Sequence, residues 1–307
     1  MALSTRYRSG YVRQFGQLRL SDWLLTSTRR SAGTGLIDLH THSNASDGTL
    51  TPYELVDRAA AAGIQIMALT DHDTIAGFVS VKDSVPSVLR LVSGVELSCQ
   101  WGRVGIHVVG LGFDPDSQVL LKHIEGLNAA RLQRAEMISQ RLAQKGMKEA
   151  LAGALLVAAG AQIGRPHFAQ WMVAQGYVQS EAEAFKRFLG KGKVGDITAV
   201  WPDLSQTVET ICAAGGYAVL AHPLHYRLTA TRLHALCAAF AEAGGSAIEV
   251  INGRPVPGEE GRLVKLAAAH DLLFSVGSDF HRDTEYGAGL GVDTARFQSG
   301  SGLWERL

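Results

Sequence analysis

From residue 36 onward, short apolar runs alternate with polar clusters and longer amphipathic stretches. LIDL (36–39) is a strand-length run that ends at His40. TPYELVDRAAAAG (51–63) has helical spacing, with Thr51 as the cap, Pro52 in the first turn and Gly63 as the stop. IQIMALT (64–70) predicts a buried strand delivering Asp71, His72 and Asp73. LRLVSGVELS (89–98) predicts a strand carrying Glu96, WGRVG a turn, and IHVVGLGF (106–113) a paired strand carrying His107.

The pattern breaks between residues 115 and about 200, where helical spacing dominates. LLKHIEGLNAARLQRAEMISQRLAQKG (120–146) predicts one long amphipathic helix with Gly146 as its stop, and RPHFAQWMVAQG and EAEAFKRFLG predict shorter ones. Alternation then resumes. SQTVETICAAGG, ATRLHALCAAFAEAGG and GEEGRLVKLAAAHD read as helices; YAVLAHP, AIEVING and LLFSVGSDFH read as strands ending near His222, Asn252 and Asp279 with His281. The expected organisation is an α/β domain built from residues 36–114 and 201–307, interrupted by a mostly helical insertion at 115–200.

Residues 1–35 stand apart, with six Arg and one acid, Asp22. They read as a poorly ordered extension; a transit-like peptide or an RNA-touching arm is the alternative. Over the whole chain Lys+Arg and Asp+Glu balance at 29 each, so no global positive field advertises nucleic-acid binding. Three widely spaced cysteines, Cys99, Cys212 and Cys237, form no CxxC pair and read as reduced thiols of a cytoplasmic protein. No apolar run reaches the roughly 18–20 residues of a membrane span.

The polar residues fall where chemistry is built. In β/α barrels the C-terminal ends of the strands carry the active site. His40 and His42 follow the first strand, His72 the second, and Glu96 lies near the end of the third. His222 follows a later strand; Asp279 and His281 follow the last. His107 breaks the rule by lying near the start of its strand, although a hairpin would turn it inward. An isolated HxH or DxH is more often structural than ligating. Six histidines and three carboxylates converging in one fold are the donor set expected for Zn, Mn or Fe. Of the remaining histidines, His123, His234 and His270 read as ordinary helix residues. His167 and His225 lie beside basic residues in candidate loops, where a phosphate contact and no function are equally open.

The stretches DLHTHSNASDG, ALTDHDT, GVELS, GIHVVGLGF, AHP and GSDFH, in this order across residues 36 to about 292, resemble the polymerase-and-histidinol-phosphatase (PHP) superfamily. GRPHFA within the insertion is similar to the branch that hydrolyses 3′,5′-bisphosphonucleotides or trims RNA from its 5′ end. The resemblance implies a distorted seven-stranded β/α barrel of TIM-like type with two or three divalent ions, Mn²⁺ favoured and Zn²⁺, Fe²⁺ or Mg²⁺ open. It implies His40, His42, Glu96 and Asp279 around a first ion. Glu96, His107 and His222 surround a second, and Asp47, His72 and His281 a third. FLGKGKVGDI, LHYRL and INGRPVPG depart from the branch's pattern, which bears on substrate choice and leaves the ligands alone.

Three divalent ions would bring about +6 against −3 from Asp47, Glu96 and Asp279, an excess that suits an anionic phosphate ester. The expected reaction is direct attack on phosphorus by a water-derived nucleophile formed at the metals, with no covalent enzyme intermediate. Arg165, His167, Lys191, Lys193 and His225 are the candidate substrate contacts. Asp73 and His281 are candidates for orienting a ligand or moving a proton. The expected substrate is a nucleotide or short RNA, with no membrane and no obligate protein partner. The competing readings are a phosphatase of a small metabolite such as histidinol phosphate, a metal-stabilised structural module, and a metallo-amidohydrolase.

Overall fold

The computed structural model describes residues 35–197, 200–253, 256–284 and 288–307. The 1–35 extension, apart from Gly35, and Arg254–Pro255 of INGRPVPG lie outside these residues. In chain order the elements are β1 (Leu36–Asp38), α1 (Pro52–Ala61), β2 (Ile64–Leu69), α2 (Ala76–Val81), β3 (Arg90–Trp101) and β4 (Val104–Leu111). Then come α3 (Gln118–Ala143), α4 (Ala150–Ala158), α5 (Arg165–Ala174), α6 (Glu181–Ala184), α7 (Leu204–Ala213), β5 (Tyr217–Leu220) and α8 (Ala230–Glu242). The last are β6 (Ala247–Asn252), α9 (Glu259–Ala269), β7 (Leu273–Gly277) and β8 (Val292–Asp293).

The sheet runs β7-β6-β5-β4-β3-β2-β1-β8. Strand β4 is antiparallel to both neighbours, while β1–β2, β2–β3, β5–β6 and β6–β7 are parallel. Past β1 the chain turns back onto β7. Leu39 N–H donates to Val276 O at 3.1 Å, Asp279 N–H to His40 O at 2.8 Å and His42 N–H to Phe280 O at 2.9 Å. These bonds bring the sheet to a nearly closed barrel, of eight strands where seven were expected. Below them the seam is filled by β8, a two-residue strand that the sequence pattern does not reveal, paired antiparallel with β1. The Ser301–Gly302 stretch also lies against Phe274 of β7. The barrel is distorted because one seam is shared among three partners.

Helix α1 starts and stops as its sequence requires. Thr51 accepts from Glu54 N–H at 3.3 Å while Glu54 Oε2 accepts from Thr51 N–H at 2.8 Å. Such a reciprocal cap stabilises a helix by about 1 kcal/mol. Gly63, with φ +79°, ends it. EAEAFKRFLG is not one α-helix. Only Glu181–Ala184 is α-helical, and Phe185–Leu189 widens into a π-helical turn.

Helices α4, α5 and α6 gather around their own core of Ala154, Phe168, Ala169, Met172 and Ala184, separate from the barrel core. Helix α3 belongs to both: Leu120, Ile124 and Leu127 pack on the barrel, whereas Ala135, Ile138 and Leu142 pack in the insertion. On the same buried stripe, between the two sets, sit Arg131 and Arg134.

Gly277 is fixed by the seam. A Cβ there would lie 2.3 Å from His40 Cβ and 2.9 Å from His40 N. Gly261, inside α9, has open space around it. Gly277→Ala should therefore cost about 1–3 kcal/mol of stability by overpacking. Gly261→Ala should gain about 0.5–1 kcal/mol from helix propensity. Urea unfolding of both variants checks the opposite signs.

Candidate metal centre

The nine residues singled out as ligands come to one end of the barrel. His40 and His42, two apart on extended chain, face the same way. Between them Thr41 is pinned outward by donating its N–H to Thr70 Oγ1 at 3.1 Å and its hydroxyl to Ala68 O at 2.8 Å. Backbone pairing sets His72 against Glu96. His107 breaks the strand-end rule in sequence but not in space. Strand β4 is antiparallel, so its first residues lie at the C-terminal ends of the others, and His107 pairs with Ser98, two residues from Glu96. Asp73, His222 and Asp279 hold left-handed backbone, with φ +52°, +29° and +52°. Strain of this kind collects where side-chain direction matters more than backbone comfort.

The distances resolve into three overlapping groups. His40 Nε2 and His42 Nε2 are 3.1 Å apart, and Glu96 Oε2 lies 3.3 and 3.2 Å from them. Asp279 Oδ1 lies 3.5 and 3.3 Å from the same two nitrogens. The other Glu96 oxygen, Oε1, meets His107 Nδ1 at 2.8 Å and His222 Nε2 at 2.9 Å, with those nitrogens 3.3 Å apart. Around Asp47 stand His281 Nε2 at 3.3 Å from Oδ1 and His72 Nε2 at 3.9 Å from Oδ2. His72 also reaches inward, its Nδ1 2.9 Å from Glu96 Oε2. His42 Nδ1 lies 3.9 Å from Asp47 Oδ1, which makes His42 a fourth donor near this outer group.

These residues fit divalent ions. Ligands at about 2.0–2.1 Å from a tetrahedral metal are separated by about 3.3–3.4 Å, close to the spacings of the first group. Buried donor atoms are also left without hydrogen bonds: His42 Nδ1, Asp47 Oδ1, His72 Nδ1 and His222 Nδ1. The charges match. Burial opposes charge on His40, yet Glu249, Glu96 and Asp279 hold its pKa well above the imidazole norm. Burial likewise opposes charge on His42, but Asp279 and Glu96 raise it to about 10. Burial would raise Glu96 and Asp47, but their histidine neighbours hold both well below the carboxylate range. Burial lowers His107 to about 4. The cluster thus retains positive charge at its centre, the place a cation takes when ligand protons are displaced.

A further layer of buried acids escaped the sequence reading. Glu249, 1% exposed, accepts from His40 Nδ1 at 2.6 Å through Oε1 and from His222 N–H at 2.6 Å through Oε2. The first bond fixes the His40 tautomer with Nε2 free to face the cluster. Asp38 accepts from the N–H groups of Ser278 and Gly291 at 2.9 and 2.8 Å. Asp71 accepts from Ser43 N–H, Ser43 Oγ and Ser46 Oγ at 2.7–2.8 Å, fixing the loop that carries Asp47. Gly48 helps by its lack of a side chain, since a Cβ would lie 2.2 Å from His42 O. The signal was present: each acid interrupts or ends an apolar strand run.

A cleft of about 480 Å³ opens from the outer ligands toward the insertion, lined by Asp47, His72, His107 and His222 on one side. Its cations are Arg103, Arg131, Arg134, Arg165 and Lys191, with Trp201, Tyr226 and His225 beside them. Arg165, Lys191 and His225 therefore lie where substrate contacts were expected. His167 and Lys193 do not line the cleft. His167 is buried, and its Nδ1 accepts from Gly164 N–H at 3.0 Å to cap α5; Lys193 is exposed. Asp73 is also placed otherwise than expected. Its carboxylate accepts from Arg131 Nε and Ser98 N–H, both at 2.6 Å, rather than bonding the His72 ring, and it does not line the cleft. His281 Nδ1 donates to Asp279 O at 2.9 Å, which leaves Nε2 facing Asp47.

Residues 38–133 match the PHP domain family. A 5′-3′ exoribonuclease of Haemophilus influenzae is 41% identical over 245 residues, covering 80% of this chain and 89% of that one. A 3′,5′-nucleoside bisphosphate phosphatase of Chromobacterium violaceum is 37% identical over 257 residues, covering 83% and 90%. A solved structure from Chromobacterium violaceum, described as an amidohydrolase with bound sulfate and no metal, aligns with a TM-score of 0.77 and 35% identity over 88% of this chain and 95% of that one.

Metal binding should be visible without substrate. Adding Mn²⁺ to chelator-treated protein at about 100 times its dissociation constant should stabilise the fold by about 2.7 kcal/mol, roughly 5–10 °C in melting temperature. Glu96→Gln, which weakens the carboxylate shared by the inner groups, should remove at least half of that rise. An equal rise in the variant would place the ions elsewhere.

Proposed function

The chain belongs to the PHP-domain family of metal-dependent phosphoesterases, and we propose that it hydrolyses 3′,5′-bisphosphonucleotides to 5′-mononucleotide and phosphate, RNA from its 5′ end, or both. The observation that carries this reading is the pairing of a donor cluster with a cleft in which, among the described residues, Arg134 and Arg165 make no ion pair with an acid. Among the described residues, Arg134 donates only from Nε to Ile197 O at 2.7 Å and Arg165 only from Nη1 to Leu189 O at 3.2 Å. Burial, with Arg165 and Arg131 nearby, pulls Arg134 down to about 9, which still leaves it charged at neutral pH. Buried charge of that kind is stabilised by an anion, and guanidinium suits phosphate oxygens.

In this reading His40, His42, Glu96 and Asp279 hold one divalent ion, Glu96, His107 and His222 another, and Asp47, His72 and His281 a third. Ions bound there supply an acidified water and polarise the phosphoryl oxygens. The chain's own part is positional. Glu249 fixes the His40 tautomer, and Asp279 O fixes that of His281. The Trp201 ring supports Arg134, whose Cζ stands 5.3 Å from its centroid, so the guanidinium stays planar to an incoming phosphate. His225 stacks on His222 with centroids 5.2 Å apart, one imidazole deep between cluster and cleft mouth. Manganese is the favoured ion on family grounds, and the cytoplasm is the proposed location. No described helix is long and apolar enough to cross a membrane.

Purified protein with Mn²⁺ should release AMP and phosphate from adenosine 3′,5′-bisphosphate, or 5′-mononucleotides from a 5′-phosphorylated RNA oligomer. Activity confined to histidinol phosphate would replace this function with the small-metabolite alternative. His40→Ala and Asp279→Ala should reduce turnover to background. Arg165→Met should raise KM about 10–100-fold, the loss of one charge-assisted contact, with a smaller change in kcat.

A further inference from the structure

The ligand groups are supported from two sides. The inner ones are held by the barrel through Glu249, Thr70 and the β1–β7 seam. The outer one is touched by the insertion at each of its three chain segments. Near Asp47, Ala45 O accepts from Gln162 N–H at 3.1 Å. Beside His281, Arg282 Nη1 donates to Glu181 Oε1 at 2.7 Å. Beside His72, Asp73 accepts from Arg131. The three contacts differ in weight. Arg282 and Glu181 are about a third exposed and solvent-screened, whereas Arg131 and Asp73 are 6% and 0% exposed.

Resting on the metal-site reading above, we propose that Arg131 is a positioning residue for the Asp47–His72–His281 group, so that the cation held there depends on how the insertion sits on the barrel. Each of the three Arg131 nitrogens has a protein acceptor. Nε donates to Asp73 Oδ2 at 2.6 Å, Nη1 to Ile163 O at 3.1 Å and Nη2 to Ser98 Oγ at 3.2 Å. Arg134, one turn on, has a single protein acceptor. Two arginines on one stripe therefore divide the work, one holding the site and one meeting the substrate. The link is short and stiff. Asp73 donates its N–H to Glu96 O at 2.9 Å and accepts Ser98 N–H on its other carboxylate oxygen, bracketing Glu96 from both sides. Its left-handed backbone turns the carboxylate out to Arg131 while His72 turns inward. Moving Arg131 shifts Asp73, and with it the angle of the adjoining His72 ring.

The test is Mn²⁺ binding by equilibrium dialysis to full-length wild type, Arg131→Met, Asp73→Asn and the double variant. The double variant leaves no unpaired buried charge and guards against simple unfolding. In all three one bound Mn²⁺ should weaken about 10–100-fold, with the remaining ions within about twofold of wild type. The double variant should be no weaker than the worse single one, because both break one link. Arg134→Met should leave the isotherm unchanged and raise KM. An unchanged isotherm in Arg131→Met and the double variant overturns the proposal. Equal weakening of every bound ion also overturns it, as a general structural effect. Failure of wild type to hydrolyse any nucleotide would refute the proposed function without altering these isotherms.

Discussion

In the inner cluster two imidazole nitrogens 3.1 Å apart each stand within 3.5 Å of the same two carboxylate oxygens. Their lone pairs repel unless positive charge lies among them, so the rest of the chain must force the encounter and neutralise it. The barrel does the forcing through backbone. The β1–β7 seam places His40 and His42 against Asp279, pairing of β2 with β3 places His72 against Glu96, and the reversed β4 brings His107 to the same end. Buried Glu249, Asp38 and Asp71 then hold the approaching loops, because a fully buried carboxylate persists only where donors surround it.

The helical insertion completes a different task. Its core is independent of the barrel's, yet α3 runs through both, and the stripe that is apolar at either end carries arginine where the two meet. Charge at a buried junction is costly unless it is paired or exposed to a ligand. Both solutions appear one helical turn apart: Arg131 is paired with Asp73, and Arg134 is open to the cleft.

The inner ligands were legible in the sequence because strand ends announce themselves: an apolar run stops and a histidine or acid follows. His107 was legible only as an exception, since strand direction is a property of pairing rather than of pattern. Asp73 and His167 misled for one reason. A polar residue beside a ligand or a loop arginine carries no mark of which way it faces, and tertiary packing turned one to Arg131 and the other to its own helix end. Arg131 and Arg134 were hidden inside a helix that reads as amphipathic. The readable sign was their position on the apolar stripe, where lysine-like surface charge does not belong. Strand β8 left no sign, because two residues make no period.

The cleft also bears on which bond is cut. A neutral amide would leave buried Arg134 and half-buried Arg165 without an anion in direct contact, and a site built to bind a charged group discriminates strongly against a substrate that lacks it. A phosphate ester offers anionic oxygens that suit both guanidiniums. Selection and chemistry are therefore carried by separate parts of the chain. The ligands descend from strand ends, and the anion contacts descend from α3, the start of α5 and the loop at Lys191. Relatives similar to this chain are named as a 5′-3′ exoribonuclease in one case and a 3′,5′-nucleoside bisphosphate phosphatase in another.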